Sequence, residues 1–175
     1  IKSKEFYEIN NGICSYSDKH KKIFMDVVLP TNYLINNNLH ASTLSFELSC
    51  LNEKIVTNCG SVEKRIGQKP EYLRYSAAHS TVILNNTNIS ELVVKKSYKR
   101  APKNIYFNSK ISEGYTTWNA SHDGYLNNFK KIIKRKIIIA NDKNAIFGED
   151  SIIPIKKKSK KIPYSIRFHL MPYCN

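Results

Sequence analysis

The sequence predicts an all-β chain: a large antiparallel β-sandwich of about ten to eleven strands, forming a single domain over residues 1–175. Three observations predict it. Short runs rich in β-branched and aromatic residues recur along the chain, each bounded by Asn, Gly, Pro or Ser. Two of them, residues 43–49 and 164–170, alternate strictly between apolar and polar positions, the period of a half-buried strand. The length of 175 residues suits one domain with a real core and is marginal for two.

The elements follow in order. Residues 6–9 form a strand ending at the turn cluster Asn10-Asn11-Gly12, and 23–29 a second one closed by Pro30. A soft stretch with four asparagines, 31–38, precedes the run T-L-S-F-E-L-S, with Leu44, Phe46 and Leu48 on one face. Asn52-Glu53 turns the chain into the partner strand 54–58. Further strands are expected at 72–75, 80–84, 91–95, 104–107 and 112–117. The segment 127–140 has apolar positions at helical spacing, but its five isoleucines favour a strand, because branching at Cβ suits the pleat. After a turn at 141–144, the strand 145–147 pairs with it. The run Y-S-I-R-F-H-L (164–170) closes the domain, with Ile166, Phe168 and Leu170 together on one face and His169 opposite.

The formal charge is +14, which invites an anionic partner: nucleic acid, an acidic polysaccharide or a membrane surface. Much of it has a compositional origin. Lys supplies 23 of 28 cations and Arg only 5, while Lys, Ile and Asn fill 64 positions, the skew of an AT-rich coding sequence. Nucleic acid is disfavoured, since the aromatics sit in core-like strands and are not interleaved with Arg. No run approaches the ~18 apolar residues of a membrane helix. The basic tract at 156–161 reads as a solvated tip between strands. The four cysteines, Cys14, Cys50, Cys59 and Cys174, are widely spaced without a C-x-x-C pair; they allow two disulfides without implying them and read rather as scattered buried thiols. The chain starts at Ile1 without a leader, as a fragment or a processed product would.

Six segments stand in a telling order: L-H-A-S-T-L-S-F-E-L-S (39–49), V-T-N-C-G (56–60), R-Y-S-A-A-H-S-T-V-I-L (74–84), S-H-D-G-Y (121–125), F-G-E-D (147–150) and I-R-F-H-L (166–170). Together they resemble the C-terminal domain of the heparinase II/III-like family, especially its alphaproteobacterial members, over about residues 5–172. The resemblance implies a β-sandwich that follows an (α/α) toroid, here missing, in an enzyme that cleaves acidic polysaccharides such as glycosaminoglycans or alginate by β-elimination. It also implies an H-x-H pair whose first histidine reaches the active cleft and whose second binds a structural metal, completed by a downstream Asp and the His of an A-H-N/S-T motif.

Carried onto this chain, the transfer is incomplete. The cleft histidine falls on Asn38, which cannot act as a base, and the acidic residue after the pair falls on Ser42. The metal positions fall on His40, Asn58 and His79, with zinc or a similar divalent metal as the implied ion. Two imidazoles and a neutral amide are a poor zinc set. Arg74 and His79 are candidates for binding a substrate carboxylate. Gly124 suits a tight turn with Asp123 bonding the local backbone, Tyr125 an anchor with its hydroxyl at the rim, and Glu149-Asp150 partners for lysines or Arg135. Arg74 and Arg167 each call for a carboxylate or carbonyl partner.

The resulting expectation is the non-toroid half of a polysaccharide lyase, inactive alone, with the acidic polysaccharide and the toroid as partners, and no nucleic acid or membrane. A periplasmic or cell-envelope location follows from the resemblance alone. The alternative is a non-catalytic carbohydrate-binding or structural sandwich module, favoured by Asn38, Ser42 and Asn58.

Overall fold

The computed structural model describes residues 6–10, 12–30, 40–60, 71–91, 100–141, 143, 145–156 and 159–172. Asn38, Cys174, the stretch 31–38 and all but the first residue of the strand expected at 91–95 lie outside them; Glu91 itself forms an antiparallel bridge with Arg100. All pairings between the described strands are antiparallel. One sheet has six strands: β1 (Phe6–Asn10), β2 (Ile13–Ser17), β3 (Lys21–Asp26), β4 (Phe46–Cys50), β5 (Glu53–Thr57) and β12 (His169–Leu170), in that spatial order. The second runs β10 (Ile146–Pro154), β9 (Lys131–Ala140), β8 (Tyr115–His122), β7 (Ile105–Ser112). A short ribbon pairs β6 (Val82–Leu84) with β11 (Tyr164–Ile166).

The two large sheets share a core. Cys14 and Tyr16 of β2, Ile23 and Met25 of β3, and Leu44 pack with Trp118 and Ala120 of β8 and Ile137 and Ile139 of β9. Every second residue of β3, β8 and β9 is buried, which is what alternation requires when one face of a sheet meets another. A second cluster fills the space under the ribbon: Val82, Leu84, Ile89, Tyr125 and Ile133.

The expected fold class holds, and several elements are corrected. Residues 72–75 are not a strand: Glu71–Arg74 and Ser76–Ala78 are two 3-10 turns. Strand β2 is an addition, and Asp18 makes its hairpin with β3 by accepting the backbone N–H groups of His20 and Lys21. Lys21 is 2% exposed, its Nζ 2.9 Å from Asp18, so that lysine is no surface residue. The strand reading of 127–140 holds for 131–140, where the helically spaced Ile132, Ile133, Ile137 and Ala140 lie in β9, while Leu126–Phe129 ahead of it makes one helical turn, ended by Lys130 at φ 56°. The final run breaks. β11 pairs with β6 and β12 with β5, and Ile166, Phe168 and Leu170 are exposed where a common buried face was expected. The Tyr125 hydroxyl is not at a rim but buried, donating to the Thr87 carbonyl at 2.8 Å. Arg167 is exposed. Gly124 is required by a close approach: a Cβ there would lie 2.9 Å from Ile89 Cγ2.

Arg135 of β9 ties the layers together. Its Nε and Nη2 each lie 2.7 Å from an oxygen of Asp150 on β10, and its Nη1 donates to the carbonyls of Leu44 (2.6 Å) and Ser80 (2.7 Å). The guanidinium stands 5.3 Å from the centre of the Phe46 ring. Leu44 has φ 59°, a left-handed conformation that a branched side chain avoids, and the Arg135 bond to its carbonyl helps hold it there.

Two stability predictions follow from this interior. Asp150→Asn leaves the 3% exposed guanidinium without its counter-ion and should cost about 3–5 kcal/mol, read by urea unfolding at pH 7; a loss under 1 kcal/mol by the same melt contradicts the role given to the pair. His122 is 1% exposed, with Nδ1 accepting the Gly124 N–H; burial first, and Arg135 second, push its pKa from 6.5 down to about 3, against Asp123. The neutral form is therefore the folded one. Stability is full above pH 6.5 and falls as pH drops from 6.5 towards 3. At pH 4.5 the loss through this group should reach about 2–3 kcal/mol, and His122→Asn, which keeps an acceptor, should remove that part of the acid slope.

Candidate functional site at the edge of the ribbon

The chain's scattered polar motifs converge where the large sheet meets β6. His40, from the segment entering β4, places its Nδ1 3.2 Å from Nε2 of His79, the residue after the second 3-10 turn. The ring centres are 5.1 Å apart. A contact of this kind needs one ring nitrogen protonated and the other not, so two neutral imidazoles satisfy it. Both are held neutral. Burial, then the positive Arg74, lowers the pKa of His40; burial, then His40 and His169, lowers that of His79 to about 4, against a backbone group of Leu73. His79 is 3% exposed and His40, in contact with it, is half-buried, so His40 is the more accessible of the two. Arg74 is half-buried, and its carbonyl accepts the Ala41 N–H at 2.9 Å, which places the first 3-10 turn beside His40.

Ser80 fixes this arrangement. Its N–H donates to Asn58 Oδ1 (2.9 Å), its hydroxyl to the Thr57 carbonyl (2.9 Å), and its carbonyl accepts from Arg135. The His169 N–H donates to the Ser80 hydroxyl at 3.1 Å. His169 also sets Nε2 3.0 Å from the Ala77 carbonyl and Nδ1 3.7 Å from Cys59 Sγ. His169 thus belongs to the same neighbourhood as His79. The sequence offered one signal for this, the fixed order of V-T-N-C-G, A-H-S-T and F-H-L, since β5, β6 and β12 carry these three motifs to one edge.

Of the positions the resemblance assigns to a metal, His40 and His79 meet, while Asn58 is occupied otherwise. Its Oδ1 accepts from Ser80, and its Nδ2 and backbone N–H both reach Glu47 Oε1 at 3.3 Å. Among the described residues no three His, Cys, Asp or Glu side chains converge on a common point. Two imidazoles and a committed amide do not fit zinc. Ser42 is also turned to another use: its hydroxyl donates to the half-buried Asp26 at 2.5 Å, so an acid at this position would face a second carboxylate. Cys14, Cys50 and Cys59 carry free thiols, but only Cys14 is buried as expected, Cys50 being half-buried and Cys59 exposed.

A model of the heparinase II/III-like C-terminal family matches residues 6–175. No curated protein matches the chain. Among solved structures, a heparinase III gene product with methylated lysines matches with a TM-score of 0.55 and 13% identity, over 81% of this chain and 20% of that one. A second structure of a heparinase III gene product matches with a TM-score of 0.41 and 10% identity, over 78% and 22%. The chain spans about a fifth of the length of these structures.

The donor set makes a prediction. Chelation with EDTA should leave the thermal midpoint of the protein where it was. Asn58→Asp, which sets a carboxylate against Glu47, should destabilise by about 1 kcal/mol at pH 7. Added zinc should recover that loss in the variant and not shift the parent, as a calorimetric scan would read directly.

Proposed function

The chain belongs to the heparinase II/III-like family, as its C-terminal domain, and on that premise we propose that it is the sandwich half of a lyase cleaving uronate-containing polysaccharide by β-elimination. The observation that carries this reading is the gathering of Arg74, His40 and His79 at one edge by motifs that lie up to 39 residues apart. Elimination removes the proton beside a uronate carboxylate, so the carboxylate must be neutralised and a base and an acid supplied. Arg74 suits the carboxylate, as a planar cation. His79 acts on the substrate side through His40, whose ring it orients. The base and the acid then come from the preceding toroid domain, and the 175-residue chain alone turns nothing over.

Asn38 and Asn58, amides where the family pattern has a histidine and an aspartate, favour a second reading: a carbohydrate-binding or structural module. One experiment separates the two. The full-length protein is offered alginate and several glycosaminoglycans, and the absorbance of unsaturated uronide is followed. The lyase reading expects a signal on at least one polymer, with kcat/KM reduced about 10- to 100-fold in Arg74→Gln. Silence on all of them, with binding retained, supports the module.

A further inference from the structure

At the end of β6 opposite His79, the surface folds inward as a cleft of about 460 Å³. Four lysines line it, Lys130, Lys156, Lys160 and Lys161, together with the amides of Asn85 and Asn128. Among the described residues, no Asp or Glu lines it. Of the two ion pairs formed among the described residues, Lys21–Asp18 and Arg135–Asp150, neither involves these lysines. Beneath them lies a fifth ammonium. Lys131 is 8% exposed, and its Nζ is bonded at 2.6 Å to the hydroxyl of Ser159, a neutral partner that itself lines the cleft.

A buried ammonium held by a hydroxyl, under a concave wall of four more, is an uncompensated positive charge in a place where field lines are focused. Solvated loop tips do not need a concave shape or a buried cation. The walls also select among anions. Phe129 lines the cleft, giving an apolar surface for the face of a sugar ring, and the two amides supply hydrogen bonds for hydroxyl groups. We propose that this cleft is a binding subsite for the carboxylate or sulfate groups of an acidic polysaccharide, separate from the His40–His79 site. It rests on the acidic-polysaccharide reading given above. His79 and Asn85 are six residues apart along the chain, at most ~20 Å, within the reach of one polymer chain.

The test uses the full-length protein and a sulfated and an uronate probe: a heparin dodecasaccharide and long-chain alginate, with uncharged dextran as the neutral control. Binding is measured by calorimetry. The variant Lys160→Glu/Lys161→Glu is compared with Lys103→Glu/Lys110→Glu, which makes the same charge change at exposed positions outside the cleft. The cleft pair should weaken binding to one or both acidic probes at least tenfold, the control pair less than twofold, and dextran should not bind. Equal weakening by both pairs, no weakening by the cleft pair, or tighter cleft-dependent binding of duplex DNA than of either glycan overturns the proposal. The binding readout needs no turnover. Cleft-dependent glycan binding by a protein that forms no unsaturated uronide removes the lyase reading and keeps the subsite; turnover with cleft-independent binding does the reverse.

Discussion

The guanidinium of Arg135 is the interaction on which the remaining structure depends. It leaves the middle of β9, pairs with Asp150 on the adjacent strand, and then crosses the core to the carbonyls of Leu44 and Ser80. Those carbonyls belong to the segments that open β4 and β6, so one side chain secures members of all three sheets. Desolvating a cation is expensive, and here the bidentate carboxylate, two carbonyls and an aromatic face share the compensation. The same bond that seats Ser80 carries the functional edge: Ser80 holds Asn58, the Thr57 carbonyl and His169, and the next residue back is His79. The site is thus an outgrowth of a packing solution.

Arg100 repeats the device on the far side. Its guanidinium donates to the carbonyls of Asn88, Ile89 and Gly124 and lies 6.0 Å from the centre of the Tyr125 ring. Of five arginines against 23 lysines, Arg135 and Arg100 are spent where a planar fork can answer several carbonyls at once, while Arg167 is exposed. Among the described residues the abundant cation, lysine, is left mainly to the surface, Lys21 and Lys131 excepted. This division explains why a total of +14 says so little about partners, and why the placement of a few lysines in a cleft says more.

Much of the fold was legible in the sequence because its signals are local. Alternation marks β4, the turn Asn52-Glu53 marks β5 and a run of β-branched isoleucines marks β9 without reference to anything distant, and Asp150 pairs with Arg135 as the strand pairing of β9 and β10 allows. The failures are tertiary. Residues 72–75 look like a strand by composition, but their 3-10 turn exists because Tyr72, Arg74 and Tyr75 accept bonds at a corner, from Tyr75, Ala41 and Ala78. The run 164–170 alternates faithfully, yet its two halves serve different sheets, and the register of the first half exposes what the pattern would have buried. For the site, motif order identified His40 and His79, while their mutual contact and the recruitment of His169 and Glu47 depend on how β5, β6 and β12 are brought together.

Cys14 has a consequence of another kind. It lies in the middle of β2, wholly enclosed between the two large sheets, and burial pushes its thiol pKa up to about 12. Cys59, in contrast, stands in the open. A thiol reagent at neutral pH therefore meets two different clocks in one molecule: a surface group beside His169 that reacts without any opening of the fold, and an interior group that is silent until the sheets separate. The sandwich carries its own gauge of how often it opens.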